Sequence, residues 1–359
     1  MPQNLKQAYE RDRAVWNSCA RTYEEQIVSG HPDVTAYENF EEDLIDRILL
    51  HLIRDCRETV RLYDVGCGSG RLHLRYGLKT VRSDSLPYGE RSRIRGARLG
   101  NPGYGFDSSL SQGLESVGGV DFSAEMLELA REKMKRAGLG SAIGNRLTLE
   151  QGSAFDLRPF PRKPLPFLVT VCNSIGVMQG PEGAEALFQS MRRAVDAAGG
   201  VALISAYRKE AVRTFALSNY ESTMNVCGQP RWLLPDTYAD GRHSLIPRIC
   251  KRAHDPGGEI LVNVFNRKGR LLRSAVTLKR DPSAVADAVR TGHIRTHTDY
   301  ESYWYGWDQI QAWIDALWPA DRSYHLQGCR IDALRAAPVQ LAILDAGNHL
   351  KDLVPRWSA

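Results

Sequence analysis

Two acids that each close an apolar run, the first with a glycine turn beside it, are the residues best placed to do chemistry. Leu62-Tyr63-Asp64-Val65 reads as a buried strand carrying an acid at its end, and Gly66-Cys67-Gly68-Ser69-Gly70 follows at once. Without a Cβ, Gly66, Gly68 and Gly70 let the main chain turn sharply and approach a ligand. The second acid, Asp121, ends the run Ser116-Val117-Gly118-Gly119-Val120. The spacing is G-x-G-x-G, not the G-x-G-x-x-G of dinucleotide enzymes, and the Lys-Ser/Thr ending of a P-loop is missing. This spacing disfavours a nicotinamide dehydrogenase.

The elements that must hold these residues follow from periodicity. Residues 5–29 predict a helix, with Ala14, Trp16, Ala20, Tyr23 and Ile27 recurring at threes and fours. A second helix over about 37–56 carries Phe40, Leu44, Ile48, Leu49 and Ile53 on one face. After Asp121, Ser123 is a natural N-cap for a helix whose inward face holds Met126, Leu127, Leu129 and Ala130. Strands follow at Leu147–Glu150 and at Phe167–Asn173, the latter apolar enough to be buried on both faces. A helix at about 181–197 and a strand at Val201–Ser205 continue the alternation. Alternating strands and helices predict an α/β fold with a doubly wound, mainly parallel sheet whose ligands lie beyond the strands' carboxyl ends.

Two segments break that rhythm. In a βαβ unit the second acid typically lies about 20 residues after the glycines; Asp121 lies far beyond. The intervening residues 76–112 are rich in Arg, Gly, Ser and Pro. They read as a solvated surface insertion, as a non-native stretch such as an unspliced intron, or as a basic loop for a partner. Residues 207–298 form the second departure. Ile260–Asn266 and Leu271–Lys279 predict a β-hairpin, preceded by an irregular stretch with Tyr220, Trp232 and Tyr238. Tyr303-Trp304-Tyr305-Gly306-Trp307 leads into a helix at about 307–317, and 325–334 and 338–345 predict the last strands. The organisation expected is 1–60 N-terminal helices, 61–206 ligand-binding core, 207–298 insertion and 299–359 completion of the sheet.

Composition sets limits. The 359 residues carry 47 Lys and Arg against 42 Asp and Glu, a net charge of +5 too mild to mark a nucleic-acid surface. The seven cysteines (Cys19, Cys56, Cys67, Cys172, Cys227, Cys250 and Cys329) form no C-x-x-C pair, which speaks against a zinc site and suits reduced thiols. No apolar leader or membrane-length run is present, so the expectation is a soluble cytoplasmic protein with no metal, membrane or nucleic-acid partner.

On the D-V-G-C-G-S-G motif and the second acidic strand end, the sequence resembles the class I S-adenosylmethionine (SAM) dependent methyltransferases, over roughly 10–205 and 299–345. The resemblance implies a seven-stranded sheet whose last strand is antiparallel, with a substrate-binding lid hung after the fifth strand. It implies that Asp64, beside Gly66, Gly68 and Gly70, holds the amino end of the methionine moiety, and that Asp121 accepts both ribose hydroxyls. Phe122 then lies against adenine, Asp156 with the Ala154-Phe155 backbone reads the adenine edge, and Asn173 sits near the sulfonium. W-x-x-x-A-x-x-Y in the first helix resembles the cofactor-covering helix of small-molecule members, with Tyr23 at the mouth. Acceptor-side candidates are Tyr207, Tyr220, His243, His254, His297, Tyr303 and Trp304, the Tyr303–Trp307 cluster being able to offer a cation–π wall. The activity implied is methyl transfer to a small-molecule N or O acceptor by a monomer or homodimer. Some members of the fold instead attack the aminocarboxypropyl carbon or cyclise SAM, as azetidine-2-carboxylate synthases do. A non-catalytic SAM-binding or partner protein is the alternative of another class.

Overall fold

The computed structural model describes residues 3–24, 32–81, 88–100, 105–212, 230–232, 246–250, 260–265, 271–277, 282–295, 301–328 and 339–358. Two helices, α1 (Gln3–Tyr23) and α2 (Pro32–Arg54), precede the first strand, β1 (Val60–Val65). Then come α3 (Arg71–Thr80), α4 (Tyr88–Gly100), α5 (Ser108–Gly113), β2 (Leu114–Asp121), α6 (Ala124–Arg136), β3 (Leu147–Gln151) and β4 (Leu165–Thr170). The core continues through α7 (Gly180–Val195) and β5 (Val201–Tyr207).

Beyond β5 lie four short strands, β6 (Pro230–Trp232), β7 (Ile246–Cys250), β8 (Ile260–Phe265) and β9 (Leu271–Thr277), forming a separate antiparallel sheet in the order β6-β9-β8-β7. The expected hairpin is its β8–β9 pair. Helix α8 (Pro282–Thr291) and a small ribbon, β10 (His293–Arg295) with β11 (Glu301–Tyr303), lead to α9 (Trp307–Leu317). Strands β12 (Ser323–Gln327) and β13 (Val339–Asp345) return to the main sheet.

The main sheet has seven strands in the order β3-β2-β1-β4-β5-β13-β12. β1 to β5 are mutually parallel, and β13 runs antiparallel to both neighbours. The fold is therefore the expected α/β sheet with its last strand reversed. Side chains alternate between two cores because successive strand residues point to opposite faces. Leu62, Phe167, Val169 and Leu203 pack with α2, α3 and α6 on one side; Tyr63, Leu168, Ala202 and Ile204 pack with α7 and α9 on the other. The chain leaves β1 towards β2 and β3, then returns to β4 and β5, so the strand order reverses at β1 and β4. A doubly wound sheet opens its ligand crevice at such a reversal.

The 76–112 segment differs from its sequence-based expectation. Tyr76 to Thr80 belong to the crossover helix α3, and Tyr76 and Leu78 are in the core. The described residues beyond are also helical in large part, as α4 and α5. Arg75 and Lys79 of α3 are buried despite their charge. They meet a matching acidic stripe on α2: Arg71 reaches Glu41 (3.1 Å) and Glu42 (3.2 Å), Arg75 reaches Glu42 (2.7 Å) and Asp46, and Lys79 reaches Asp46. Helix α4 hid for another reason. Among its described side chains Ile94 is the one in the core, and the rest offer little apolar periodicity. Glu90 of α4 also ties to Ser141, accepting from its hydroxyl at 2.7 Å. Asp107 then caps α5, accepting from the N–H groups of Ser109 and Leu110.

Among the described residues, no helix is long and apolar enough to cross a membrane. If α4 is part of the core, Ile94→Ala should lower unfolding stability by about 2–4 kcal/mol, the usual cost of truncating a buried aliphatic side chain. Urea titration reads this directly; a variant as stable as the parent would make α4 an appendage.

Candidate functional site

β1 and β2 are hydrogen-bonded neighbours, with Asp64 opposite Gly119 and Val65 opposite Val120. Asp64 and Asp121 thus come to the same end of adjacent strands despite the long crossover. The glycine turn folds back onto β2: Gly66 and Cys67 both donate to the Val120 carbonyl, at 2.8 and 3.1 Å. Gly68 N–H donates to Asp121 Oδ2 at 2.8 Å, and Ser123 N–H donates to Oδ1 at 2.9 Å. Gly66, Gly68 and Gly70 all have positive φ (80°, 49° and 75°), a region that side-chain-bearing residues rarely enter. Gly119 is needed for space: a Cβ there would meet the His73 ring at 2.6 Å and Cys67 Cβ at 2.8 Å.

One cavity opens over these strand ends. Asp64, Gly66, Gly68, Asp121, Phe122, Ala154 and Phe155 line it, bringing together seven of the residues expected there. Three expected residues lie elsewhere. Gly70 starts α3 and allows it to pack closely on α6, where a Cβ would meet that of Ala130 at 2.8 Å. Asp156 is exposed and outside the cavity wall. Asn173 lies beyond the end of β4, at Thr170, in a left-handed conformation (φ 53°). Its side chain accepts from Tyr207 N–H (3.0 Å) and donates to the Tyr303 carbonyl (3.2 Å), tying β4 to β5 and β11 instead of facing a ligand.

The acceptor-side candidates fare similarly. Tyr207 and Trp304 pack against one another in the core at 4.7 Å between ring centroids. Trp304 and Tyr305 are buried, so this part of the aromatic cluster packs the sheet instead of forming a wall. Tyr303 does not line the cavity; it stacks on His293 (4.3 Å, 5°), its hydroxyl donating to Glu301 at 3.3 Å. Tyr220, His243, His254 and His297 lie outside the described residues, and so does the side chain of Tyr23.

Sequence reasoning missed several wall residues. Helix α1 covers the cavity with Tyr9 and Trp16, two turns apart on one face, and Tyr9 meets the Phe122 ring at 5.4 Å. The same seven-residue spacing leads on to Tyr23, so extending the aromatic pattern backwards would have found Tyr9. Asn17 accepts from Ser123 Oγ (2.8 Å), and Lys133 donates to Glu24 (2.6 Å), which also takes the Ser69 hydroxyl. Arg71, Glu38 and Cys172 form another part of the wall. Behind them Glu41, 1% exposed, accepts from Arg71, from Cys172 N–H (2.8 Å) and from Ser205 Oγ (2.7 Å). Four-residue spacing of charges on α2 and α3 was the available signal.

The electrostatics are unusual in one respect. Burial pushes Asp64 up to about 7, with Arg71 opposing and Asp121 and Glu41 reinforcing the shift. Unlike Asp121, Asp64 receives no hydrogen bond from the described residues that holds its charged form. Burial also lifts Glu38 to about 7, against the pull of Arg71. Asp121 rises only to about 6 because backbone N–H groups offset its desolvation. His73, wholly buried, is pushed down to about 4 and is neutral, so it adds no positive charge beside the acids. The cavity therefore concentrates carboxylates and favours a ligand bearing positive charge and hydroxyl groups.

No family model and no curated protein matches the sequence. Among solved structures, the chain aligns with a SAM-dependent methyltransferase from Clostridium acetobutylicum at 12% identity and a TM-score of 0.42, covering 92% of this chain and 98% of that one. It aligns likewise with the CcbJ methyltransferase of Streptomyces caelestis, at 12% identity and a TM-score of 0.42, over 92% and 96% of the two chains. A third is DhpI in complex with SAH, at 13% identity and a TM-score of 0.37, over 93% and 95%.

All three carboxyls are raised by burial, so ionising them costs more in the folded than in the unfolded chain. The stability they contribute is complete below their unfolded values near 4 and is lost as pH rises through about 6–7. Thermal melts of the ligand-free protein should fall between about pH 5 and pH 8. Asp64→Asn should flatten that fall, and an unaltered slope in this variant would show that Asp64 is not a source of it.

Proposed function

We propose that the chain is a SAM-dependent methyltransferase acting on a small-molecule acceptor at nitrogen or oxygen. The observation that carries this reading is the meeting of Asp64 and Asp121 in one cavity at the reversal point of the sheet. Among the described residues one carboxylate is left without a hydrogen bond, and the other is clasped by the glycine turn.

The residues fit the cofactor part by part. Asp64 suits the ammonium of the methionine moiety, which would supply the positive charge that buried acid lacks. Each Asp121 oxygen takes one backbone N–H and keeps a lone pair, so the two can receive adjacent ribose hydroxyls in charge-assisted bonds. Phe122, Phe155 and Met126 give an apolar bed for a purine ring. Arg71 stands on the same wall as Asp64 and can face the methionine carboxylate. When bound, SAM supplies a methyl group already activated by positively charged sulfur. The protein's task is then to hold the nucleophile in line at near-contact distance and to exclude water. Helix α1, closing the cavity with Tyr9 and Trp16, serves that exclusion.

Calorimetry with SAM and with S-adenosylhomocysteine tests the binding half. Asp121→Ala should weaken both by about 1.5–3 kcal/mol through loss of a charged acceptor. Wild-type affinity in that variant would take Asp121 out of the site. Mass spectrometry of the spent cofactor tests the reaction. S-adenosylhomocysteine marks methyl transfer, methylthioadenosine marks attack at the aminocarboxypropyl carbon, and bound SAM without turnover marks a non-catalytic binder.

A further inference from the structure

We infer that the side-chain carbonyl of Gln179 receives and orients the methyl acceptor, and that this acceptor carries an N–H or O–H at the atom attacked; this rests on the methyl-transfer reading above. Gln179 sits between the short turn after β4 and the start of α7, and it lines the cavity. Its backbone is left-handed (φ 57°, ψ 33°), a conformation that L residues bearing a Cβ adopt only when their surroundings impose it. Its Nε2 donates to Asp12 Oδ2 of α1 at 2.9 Å. An ionised carboxylate can only accept, so the amide has one orientation, with NH2 towards Asp12 and the carbonyl turned away. That carbonyl oxygen is buried and has no hydrogen-bond partner among the described residues. It has lost its water and gained nothing from the protein, so a ligand donor is the partner that restores the balance.

Position decides which part of the ligand this is. The groups suited to the nucleoside lie at the ends of β2 and β3, at Asp121, Phe122 and Ala154. Gln179 lies on the β4 side of β1, across the sheet order from them. The reacting centre belongs between the two sides. The Asp12 carboxylate behind the amide polarises it and makes Oε1 a better acceptor. A neutral amine donating one N–H to Oε1 keeps its lone pair free to attack. The N–CH3 bond then forms as the S–CH3 bond breaks with its electron pair passing to sulfur, and the surplus proton leaves the new ammonium for water. A hydroxyl acceptor is held in the same way and passes its proton to water as the O–CH3 bond forms and the S–CH3 bond breaks. An amide oxygen is too weak a base to take that proton, so Gln179 orients the acceptor and does not deprotonate it. A thiolate or carbon nucleophile has no hydrogen to offer there.

The test uses the full chain saturated with S-adenosylhomocysteine and saturation-transfer NMR. The probes are a panel of primary and secondary amines, alcohols and phenols with their N- or O-permethylated counterparts. Donor-bearing probes should bind and their permethylated forms should not. Gln179→Leu should weaken donor binding by about tenfold, the scale of one hydrogen bond to a buried acceptor, while S-adenosylhomocysteine affinity by calorimetry stays within about twofold. Asp12→Ala, which keeps the carbonyl but frees it to turn, should fall between the two proteins. The assignment is overturned if no donor binds the wild type, if permethylation is without effect, or if Gln179→Leu binds donors as the wild type does. It is also overturned if Asp12→Ala alone reproduces the whole loss. S-adenosylhomocysteine weakened about tenfold in Gln179→Leu alone would give the carbonyl to the cofactor instead. Failure of S-adenosylhomocysteine to bind the wild type would sink the methyl-transfer reading itself.

Discussion

The site depends on main-chain hydrogen bonds between a turn and the neighbouring strand. Gly66 and Cys67 bond to the Val120 carbonyl, and Gly68 bonds to the Asp121 carboxylate one residue further on. These contacts fix the height of the turn above the sheet and the aim of the second acid together. They also explain why Asp121 tolerates burial better than Asp64. The peptide N–H groups of Ser123, Gly68 and Phe122 compensate one carboxylate, whereas the other is left with the charge of Arg71. The asymmetry suits a ligand that presents hydroxyls to one acid and a cation to the other.

A second layer of order comes from charge held inside the molecule. The α2–α3 contact is built from Glu41, Glu42 and Asp46 against Arg71, Arg75 and Lys79, four of them buried and Asp46 and Arg71 partly so. Buried ion pairs add little net stability, because desolvation consumes most of the attraction, but breaking one is costly. Their value here is one of register. Opposed charges at four-residue spacing on both helices match in one alignment, and that alignment sets Arg71 against the cavity. Glu41 extends the same logic by joining α3, the end of β4 and β5 through a single carboxylate.

The sheet was legible because its signals are local and redundant. Apolar runs such as Phe167–Val171, the Ser123 cap and the glycine turn each predict an element unaided, and the hairpin at 260–277 has the same clarity. The two acids were legible as strand ends. Asn173 misled because the strand stops at Thr170, and two left-handed residues, Cys172 and Asn173, turn the amide towards β5. Helices α3 and α4 were hidden because hydrophobic periodicity assumes that charge faces water. In α3 the charge faces α2, and α4 gives the core little besides Ile94. Tyr9 was legible only by extending the seven-residue aromatic spacing back from Trp16, and Gln179 gave no sequence signal of its own, since a site assembled from separate elements leaves no motif.

Consider how α1 is fastened. Its links to the strand-end loops are side-chain hydrogen bonds: Asp12 to Gln179, Asn17 to Ser123, and Glu24 to Ser69 and Lys133. Each is a bond that water can replace at small net loss. The aromatic faces of Tyr9 and Trp16 touch the chamber itself. Lifting α1 would therefore exchange these polar bonds for solvent and expose the small cluster of Trp16, Ala20, Met126 and Leu129, while the seven-stranded framework need not loosen. The cover over the chamber and the seven-stranded framework are thus separate packing units, the former resting on a small apolar cluster of its own.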